Sequence, residues 1–480
     1  MASRLNLLAS REAKLSGKRI PNGSSALLTQ CGTMTAEVMA QGETQTDEAV
    51  AVAESQKVEA KEESIPKMVE KSSSYKEESN FLSDLKEFER KALSELKSKL
   101  EEAILGNTLF EKEEPKREVE EKEEEKSVEV EGEVKDVFLW GVPLLPSKGA
   151  EGLDVVLLKF LRAREFKVNE AFEMLKKTLK WRKESRIDSV VDEDFGPDMA
   201  SAACMNGVDH EGHPVCYNVF GAFESEELYQ KAFGTEEKRS EFLRWRCQLM
   251  ERGIQKLDLK PGCVSSLLQI NDLKNSPGPS KKELRIATKQ TVAMLQDNYP
   301  EMMAKNIFIN VPFWYYALNA LLSPFLTQRT KSKIVVARPN KVTETLTKYI
   351  PIEEIPVQYG GFKRENDTEF SSQDGAVSEL ILKAASTATI EIPALEVGNT
   401  LCWDLTVLGW EVSYKEEFVP IDEGSYTVIV QKGKKMGSQE GPIRNTFRNN
   451  EPGKVVITIE NTSNKKKRVL YRYKTNKSSF

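Results

Sequence analysis

Between Asn298 and Ala337 the chain reads NYPEMMAKNIFINVPFWYYALNALLSPFLTQRTKSKIVVA, an order of segments that few folds accommodate. Ile307–Val311 is a short apolar run closed by Pro312, the pattern of a buried strand. Phe313–Leu326 is apolar on nearly every side, with Phe313, Trp314, Tyr315, Leu318, Leu322 and Phe325 among its residues, and its length favours a helix. Ile334–Ala337 is a second strand. A helix apolar all round is either core or faces something other than water. Three settings remain open for it: a core helix of an α/β domain, a membrane span, or a movable cover over an apolar cavity. A span needs about 20 apolar residues, and Pro312, Asn319, Ser323 and Pro324 interrupt this one while strands flank it. Glu301 and Lys333 frame the greasy centre.

The rest of the chain divides by periodicity. Residues 1–135 are expected to form a disordered, mostly acidic tail, because Glu, Lys, Ser, Ala and Gln dominate and large apolar residues are few. Within it, Leu82, Leu85, Leu93, Leu96, Leu100 and Ile104 recur at helical spacing, so the region near 79–105 reads as one amphipathic helix. Residues 111–135 hold 12 acidic and 6 basic side chains and read as a solvated linker. Residues 1–33 are basic and contain serines, which suits either a transit peptide or an upstream extension before a second start at Met34. Residues 136–195 read as a small helical unit, with Asn169 placed to cap a helix over Glu170–Lys183. Over residues 196–366 strands and helices alternate, which implies a mostly parallel sheet. After a polar linker at Asp367–Asp374, residues 375–477 show period-two strands such as Leu401, Trp403, Leu405 and Val407, the mark of an antiparallel sandwich.

The net charge of −6 argues against general nucleic-acid binding, although it is unevenly spread. Residues 444–480 carry ten Lys/Arg against two Asp/Glu, leaving −14 elsewhere. The six cysteines are scattered with no CxxC pair, which fits reduced cytosolic thiols and neither a zinc site nor a disulfide frame. The only two histidines, His210 and His213, flank Gly212 beside Pro214, so turn chemistry accounts for them and no metal is expected. There is no GxSxG elbow, no phosphate-loop lysine and no glycine-rich dinucleotide fingerprint. The expectation is a protein that is not an enzyme and needs no cofactor.

YPE (Tyr299–Glu301), followed by I-x-N-x-P-F, P-F-L, Thr330 and S-K-I, resembles the core of CRAL-TRIO lipid-transfer domains. LLKFLRAREF (Leu157–Phe166) resembles the helical segment that precedes that core, and IPVQYGG (Ile355–Gly361) its close. The C-terminal strands resemble a GOLD domain, and the whole layout resembles the plant patellins. The fold class implied is multidomain: a disordered acidic N-terminal tail, an α/β CRAL-TRIO lipid-binding domain with a helical N-terminal subdomain, and a C-terminal all-β GOLD sandwich. Fungal members bind phosphatidylinositol through a basic residue of the RAR segment, the Glu of YPE, and the Thr and Lys of T-x-x-K. The matching residues are Arg164, Glu301, Thr330 and Lys333. The pattern that fungal members use for phosphatidylcholine is not kept, since Met205, Cys216, Leu267 and Gln269 stand at those positions. The resemblance implies phosphoinositide binding, with Phe313, Trp314, Tyr315, Leu318, Leu322 and Phe325 lining or gating the lipid pocket. It also implies a cytoplasmic protein peripherally bound to anionic membranes, acting in membrane trafficking, including cell-plate formation. The basic run Lys465, Lys466, Lys467 and Arg468 is the expected membrane-surface contact. The rival expectations are a binder of another small hydrophobe, and an adaptor that recruits trafficking proteins through its GOLD domain and acidic tail.

Overall fold

The computed structural model describes residues 78–110, 137–277, 281–312, 315, 332–371, 374, 376–437 and 440–476. Most of the acidic tail, including the 111–135 linker, therefore lies outside the described residues. The amphipathic helix expected near 79–105 starts at Glu87: α1 spans Glu87–Leu105, after a single 3₁₀ turn at Leu82–Asp84. Its apolar stripe is docked. Leu93, Leu96, Leu100 and Ile104 join one core with α2 (Leu153–Ala163), α3 (Val168–Glu184) and the two-stranded ribbon of β1 (Phe138–Leu139) and β2 (Val142–Pro143). Leu96 is fully buried. Leu96→Ala should therefore cost about 2–5 kcal/mol, the range for deleting a core leucine, measured as a lower urea midpoint of the full-length chain. An unchanged midpoint would mean that α1 is not docked in solution.

α3 begins before the expected cap. Lys167 is its N-cap, and Asn169 sits inside the first turn, where its side-chain oxygen accepts from Lys99 of α1. A tertiary contact has taken the side chain that local chemistry assigned to capping.

The α/β domain holds a five-stranded sheet in the order β3-β4-β5-β6-β7. β3 (Ala203–Val208) pairs antiparallel with β4 (Pro214–Val219). β5 (Leu267–Asp272), β6 (Met303–Ile309) and β7 (Ile334–Val336) follow in parallel, as the strand and helix alternation requires. The register decides what each face does. Val215, Tyr217, Leu268, Ile270, Ile307 and Ile309 form an apolar face, packed on Leu346, Ile350, Ile355 and Phe362. The opposite face is more polar: Cys216 aligns with Gln269 and Gln269 with Asn306, while Asn218 aligns with Asn271 and Asn271 with Phe308. Three helices, α4 (Glu226–Phe233), α5 (Glu236–Ile254) and α6 (Lys282–Asn298), stand on that side.

The C-terminal unit is a sandwich of two antiparallel sheets built from β8 (Ser378–Leu382), β9 (Ser386–Ala394), β10 (Thr400–Val407), β11 (Val412–Pro420), β12 (Val428–Met436), β13 (Ile443–Arg448), β14 (Gly453–Asn461) and β15 (Lys467–Asn476), in the orders β13-β10-β15-β8 and β12-β11-β14-β9. Leu401, Trp403, Leu405 and Val407 of β10 (Thr400–Val407) enter its core, as their alternation implies. Asp404 and Thr406, on the other face of β10, are buried as well, and Arg364 of the preceding segment donates to Asp404 at 2.9 Å. Of Asp367–Asp374, which reads as a linker, the part 367–371 is folded onto the sandwich: Phe370 is buried with the Arg472 guanidinium 4.1 Å from its ring centroid, and Asp367 accepts two hydrogen bonds from Arg444. Leu408 and Leu470 of the sandwich join the apolar face of the parallel sheet. Among the described residues, no helix is long and apolar enough to cross a membrane.

Candidate functional site

The YPE turn is built from below by a buried ion pair. Arg182 of α3 donates to both carboxylate oxygens of Glu251 on α5, at 2.6 and 3.2 Å, and the Tyr299 hydroxyl donates to Glu251 Oε1 at 2.6 Å. Trp181 meets the Tyr299 ring edge-on, and Trp140 stacks on it. Burial and the neighbouring Glu251 carboxylate push the Tyr299 hydroxyl pKa well up, so it stays a donor. With Tyr299 fixed, the chain turns at Glu301 with φ +52°, a left-handed conformation that costs a non-glycine residue about 1–3 kcal/mol unless its surroundings hold it.

Two lysines hold it. Lys159 of α2 is buried, and its Nζ donates to the Glu301 carbonyl at 2.8 Å. Lys333, which enters β7, donates from Nζ to Glu301 Oε2 at 2.8 Å and to the Met303 carbonyl at 3.1 Å. The Lys333 side chain is 10% exposed and that of Glu301 20%. The pair thus sits at the margin of the interior, where an ionic contact is stronger than in water. Such a pair presents a cation beside a carboxylate, which suits a phosphate next to hydroxyls.

Glu301 and Lys333 also line a cavity of about 230 Å³ between the polar sheet face and helices α5 and α6. Its apolar wall includes Phe223, Phe242, Trp245, Leu284 and Leu295, and its floor carries Asn218, Gln269, Asn271 and Asn306. Cys216 and Cys247 are buried, and burial pushes their thiols up to about 11 and about 12.

The expected site residues fall in several places. Glu301 and Lys333 are brought together, as their motif implies. Arg164 ends α2 half-buried next to the cavity-lining Ala163, and its Nη1 donates to the Ala163 carbonyl at 3.2 Å. Thr330 lies outside the described residues, as do Phe313, Trp314, Leu318, Leu322 and Phe325. Tyr315 is described: it is buried against Leu273, Phe308 and Val311. Of the basic run, Arg468 is bidentate to Glu379 at 2.7 and 2.9 Å and Lys467 lies 3.6 Å from Glu411, whereas Lys465 and Lys466 are exposed. His213 is explained by its turn, with Asp209 accepting its backbone N–H at 2.8 Å and meeting its Nδ1 at 2.9 Å. No metal-competent cluster of His, Cys, Asp and Glu occurs among the described residues.

Lys159 was not singled out by its motif. The available signal is a lone lysine at a core position of LDVVLLKFL, where a buried charge demands a partner.

Comparison with known proteins fits this anatomy. Residues 92–177 match the CRAL/TRIO N-terminal domain, residues 198–361 the CRAL/TRIO domain, and residues 383–467 the Patellin-1-like C-terminal GOLD domain. Patellin-4 of Arabidopsis thaliana is 56% identical over 505 residues, covering 87% of this chain and 92% of its own. The chain belongs to the patellin family. Patellin-6 of the same plant is 42% identical, over 85% of this chain and 92% of its own. The phosphatidylinositol transfer protein SFH5 of Meyerozyma guilliermondii is 34% identical over 33% of this chain and 49% of its own. The patellin match accounts for the sandwich and its junction with the α/β domain, and the fungal match covers only a third of the chain.

Proposed function

We propose that this patellin-family chain is a lipid carrier or sensor that binds phosphoinositides and presents or transfers them at membranes. The observation that carries this reading is the Lys333–Glu301 pair at the edge of a largely apolar cavity. A diacyl lipid has roughly 30 methylenes at about 0.8 kcal/mol each, so leaving a bilayer costs on the order of 20 kcal/mol unless an apolar cavity replaces it. A diacyl lipid is larger than the cavity, so loading widens it. Lys333 then meets the phosphate and Glu301 accepts from inositol hydroxyls, with Thr330 and Arg164 completing the set. SFH5, named a phosphatidylinositol transfer protein, is the relative whose name supports this ligand. The reading places the protein in the cytoplasm, peripherally on anionic membranes, in membrane trafficking that includes cell-plate formation, and it requires no catalysis. Membrane contact by the basic run rests on Lys465 and Lys466, since Lys467 and Arg468 face acidic partners.

An adaptor role through the sandwich is the second reading. It is favoured by an apolar patch at one sheet edge, where Tyr426 is 91% and Ile429 66% exposed.

The test is phosphatidylinositol transfer between vesicles by the wild type and Lys333→Ala. Loss of a charge-assisted hydrogen bond to phosphate should lower transfer by about tenfold or more. If the pair is only structural, Lys333→Ala lowers the melting temperature and leaves transfer per folded molecule unchanged.

A further inference from the structure

Arg246 of α5 is the second cation lining the cavity, and it lacks a carboxylate partner among the described residues. Its Nη1 donates to Asn218 Oδ1 at 2.8 Å, and its guanidinium lies 5.5 Å from the Trp245 ring centroid. Asn218 in turn donates from Nδ2 to Asn271 Oδ1 at 3.0 Å. The amides are thereby oriented by each other, and one of them holds the arginine in place. Asn218 and Asn271 are buried and stand opposite each other at the carboxyl ends of β4 and β5. Gln269 adds a further cavity-facing amide, one register step back.

This floor is costly for a cavity meant only for hydrocarbon. By contrast, the buried guanidinium of Arg182 on α3 meets two carboxylates, Glu251 and Asp188. Arg246 keeps its charge, because arginine does not deprotonate in proteins. No acceptor for its other N–H groups occurs among the described residues, and the side chain, intermediate in exposure, lines the cavity. A half-buried cation facing a largely apolar cavity is stabilised by an anion or ordered water.

The place also differs from the Glu301–Lys333 pair. That pair precedes the amino ends of β6 and β7, whereas Asn218 and Asn271 close the carboxyl ends of β4 and β5. Asn271 is level with Phe308 of β6, and Ile334, next to Lys333, is level with Asn306, so the backbone of Lys333 lies about 10 Å before the amide pair along the strand direction.

We propose that Arg246, positioned by Asn218 and Asn271, is a second headgroup subsite that takes an amphiphile with an oxyanion head, a phosphate monoester or a carboxylate. A planar guanidinium offers two parallel N–H groups to either head. The inference rests on the lipid-carrier reading and adds a ligand class to it.

The test incubates the full-length chain with phosphatidylcholine vesicles carrying, in separate arms, phosphatidic acid, oleate, diacylglycerol or phosphatidylinositol. The protein is then re-isolated and its lipid counted by mass spectrometry. Two variants are compared with wild type: Arg246→Gln removes the charge, and Asn218→Asp sets a carboxylate against it in place. Both should lower loading of phosphatidic acid or oleate by about tenfold or more relative to any change in phosphatidylinositol and diacylglycerol loading by the same variant, and retained loading of those two lipids shows that the variants fold. Loss in the phosphatidic acid arm alone assigns a phosphate head; loss in the oleate arm alone assigns a carboxylate. Wild-type loading of both oxyanion amphiphiles by both variants would overturn the subsite, as would an equal fall for diacylglycerol. A wild type that loads phosphatidylinositol but neither oxyanion amphiphile overturns this inference only. A wild type that loads nothing overturns the carrier reading.

Discussion

Asp404→Asn is expected to destabilise the folded chain by about 3–5 kcal/mol, the cost of removing one partner from a buried ionic cluster. Asp404 is fully buried on β10, between the sandwich and the segment leading into it. Three guanidiniums converge on it: Arg364 at 2.9 Å, Arg444 at 2.7 Å and Arg472 at 2.8 Å. Asp367 supplies the second carboxylate, 2.6 Å from Arg444. Asparagine keeps the shape of Asp404 and removes its charge, which leaves three guanidiniums, that of Arg472 buried, facing one carboxylate. Urea unfolding followed by tryptophan fluorescence measures the effect, since Trp403 and Trp410 lie in the sandwich core. A shift below about 1 kcal/mol, typical of an exposed pair, would mean that solvent reaches the cluster.

The same cluster sets a pH dependence. The Arg444 side chain and two backbone N–H groups outweigh the burial of Asp367 and hold its carboxyl at about 2, against an ordinary 3.8. A lowered carboxylate pKa stabilises the fold above the unfolded value and is lost as pH falls through the folded one. The contribution of Asp367 is therefore complete above about pH 4 and disappears towards pH 2.

Arg182→Ala is the second large effect. The side chains of Arg182 and Glu251 are only 5% and 9% exposed, and removing the arginine strands a carboxylate in the interior. The expected loss is about 3–5 kcal/mol. The double variant Arg182→Met with Glu251→Leu should recover most of it, because well-packed apolar replacements of buried ion pairs are often neutral. The single variant should also weaken phosphatidylinositol loading, since Glu251 anchors the Tyr299 hydroxyl two residues before Glu301. A melting temperature that falls without any loss of loading per folded molecule would detach the ion pair from the site.

The order of domains was legible because it is written in local pattern. The strand run at Ile307, the period-two sandwich strands and the ordered CRAL-TRIO motifs each depend on neighbours in sequence. Glu301 and Lys333 were legible only through the family motif, since no periodicity links residues 32 apart. Lys159, Arg246 and Asn218 were not singled out, because their roles arise from parallel-strand register and from helices packed across the sheet. Asn169 shows the converse: its side chain had a local role available, and a lysine on another helix took it. Asp367–Asp374 looked like a linker because its composition is polar, yet the single aromatic Phe370 and its arginine neighbours pin down its first part, 367–371.

In the proposed function, one lipid occupies the cavity with its head at Lys333. Native mass spectrometry of the wild-type chain, re-isolated from vesicles containing phosphatidylinositol, tests it directly. The account predicts a mass increase of one phosphatidylinositol per chain. A chain that binds those vesicles yet returns at its lipid-free mass would contradict it, and would leave a protein that docks on membranes without carrying their lipid.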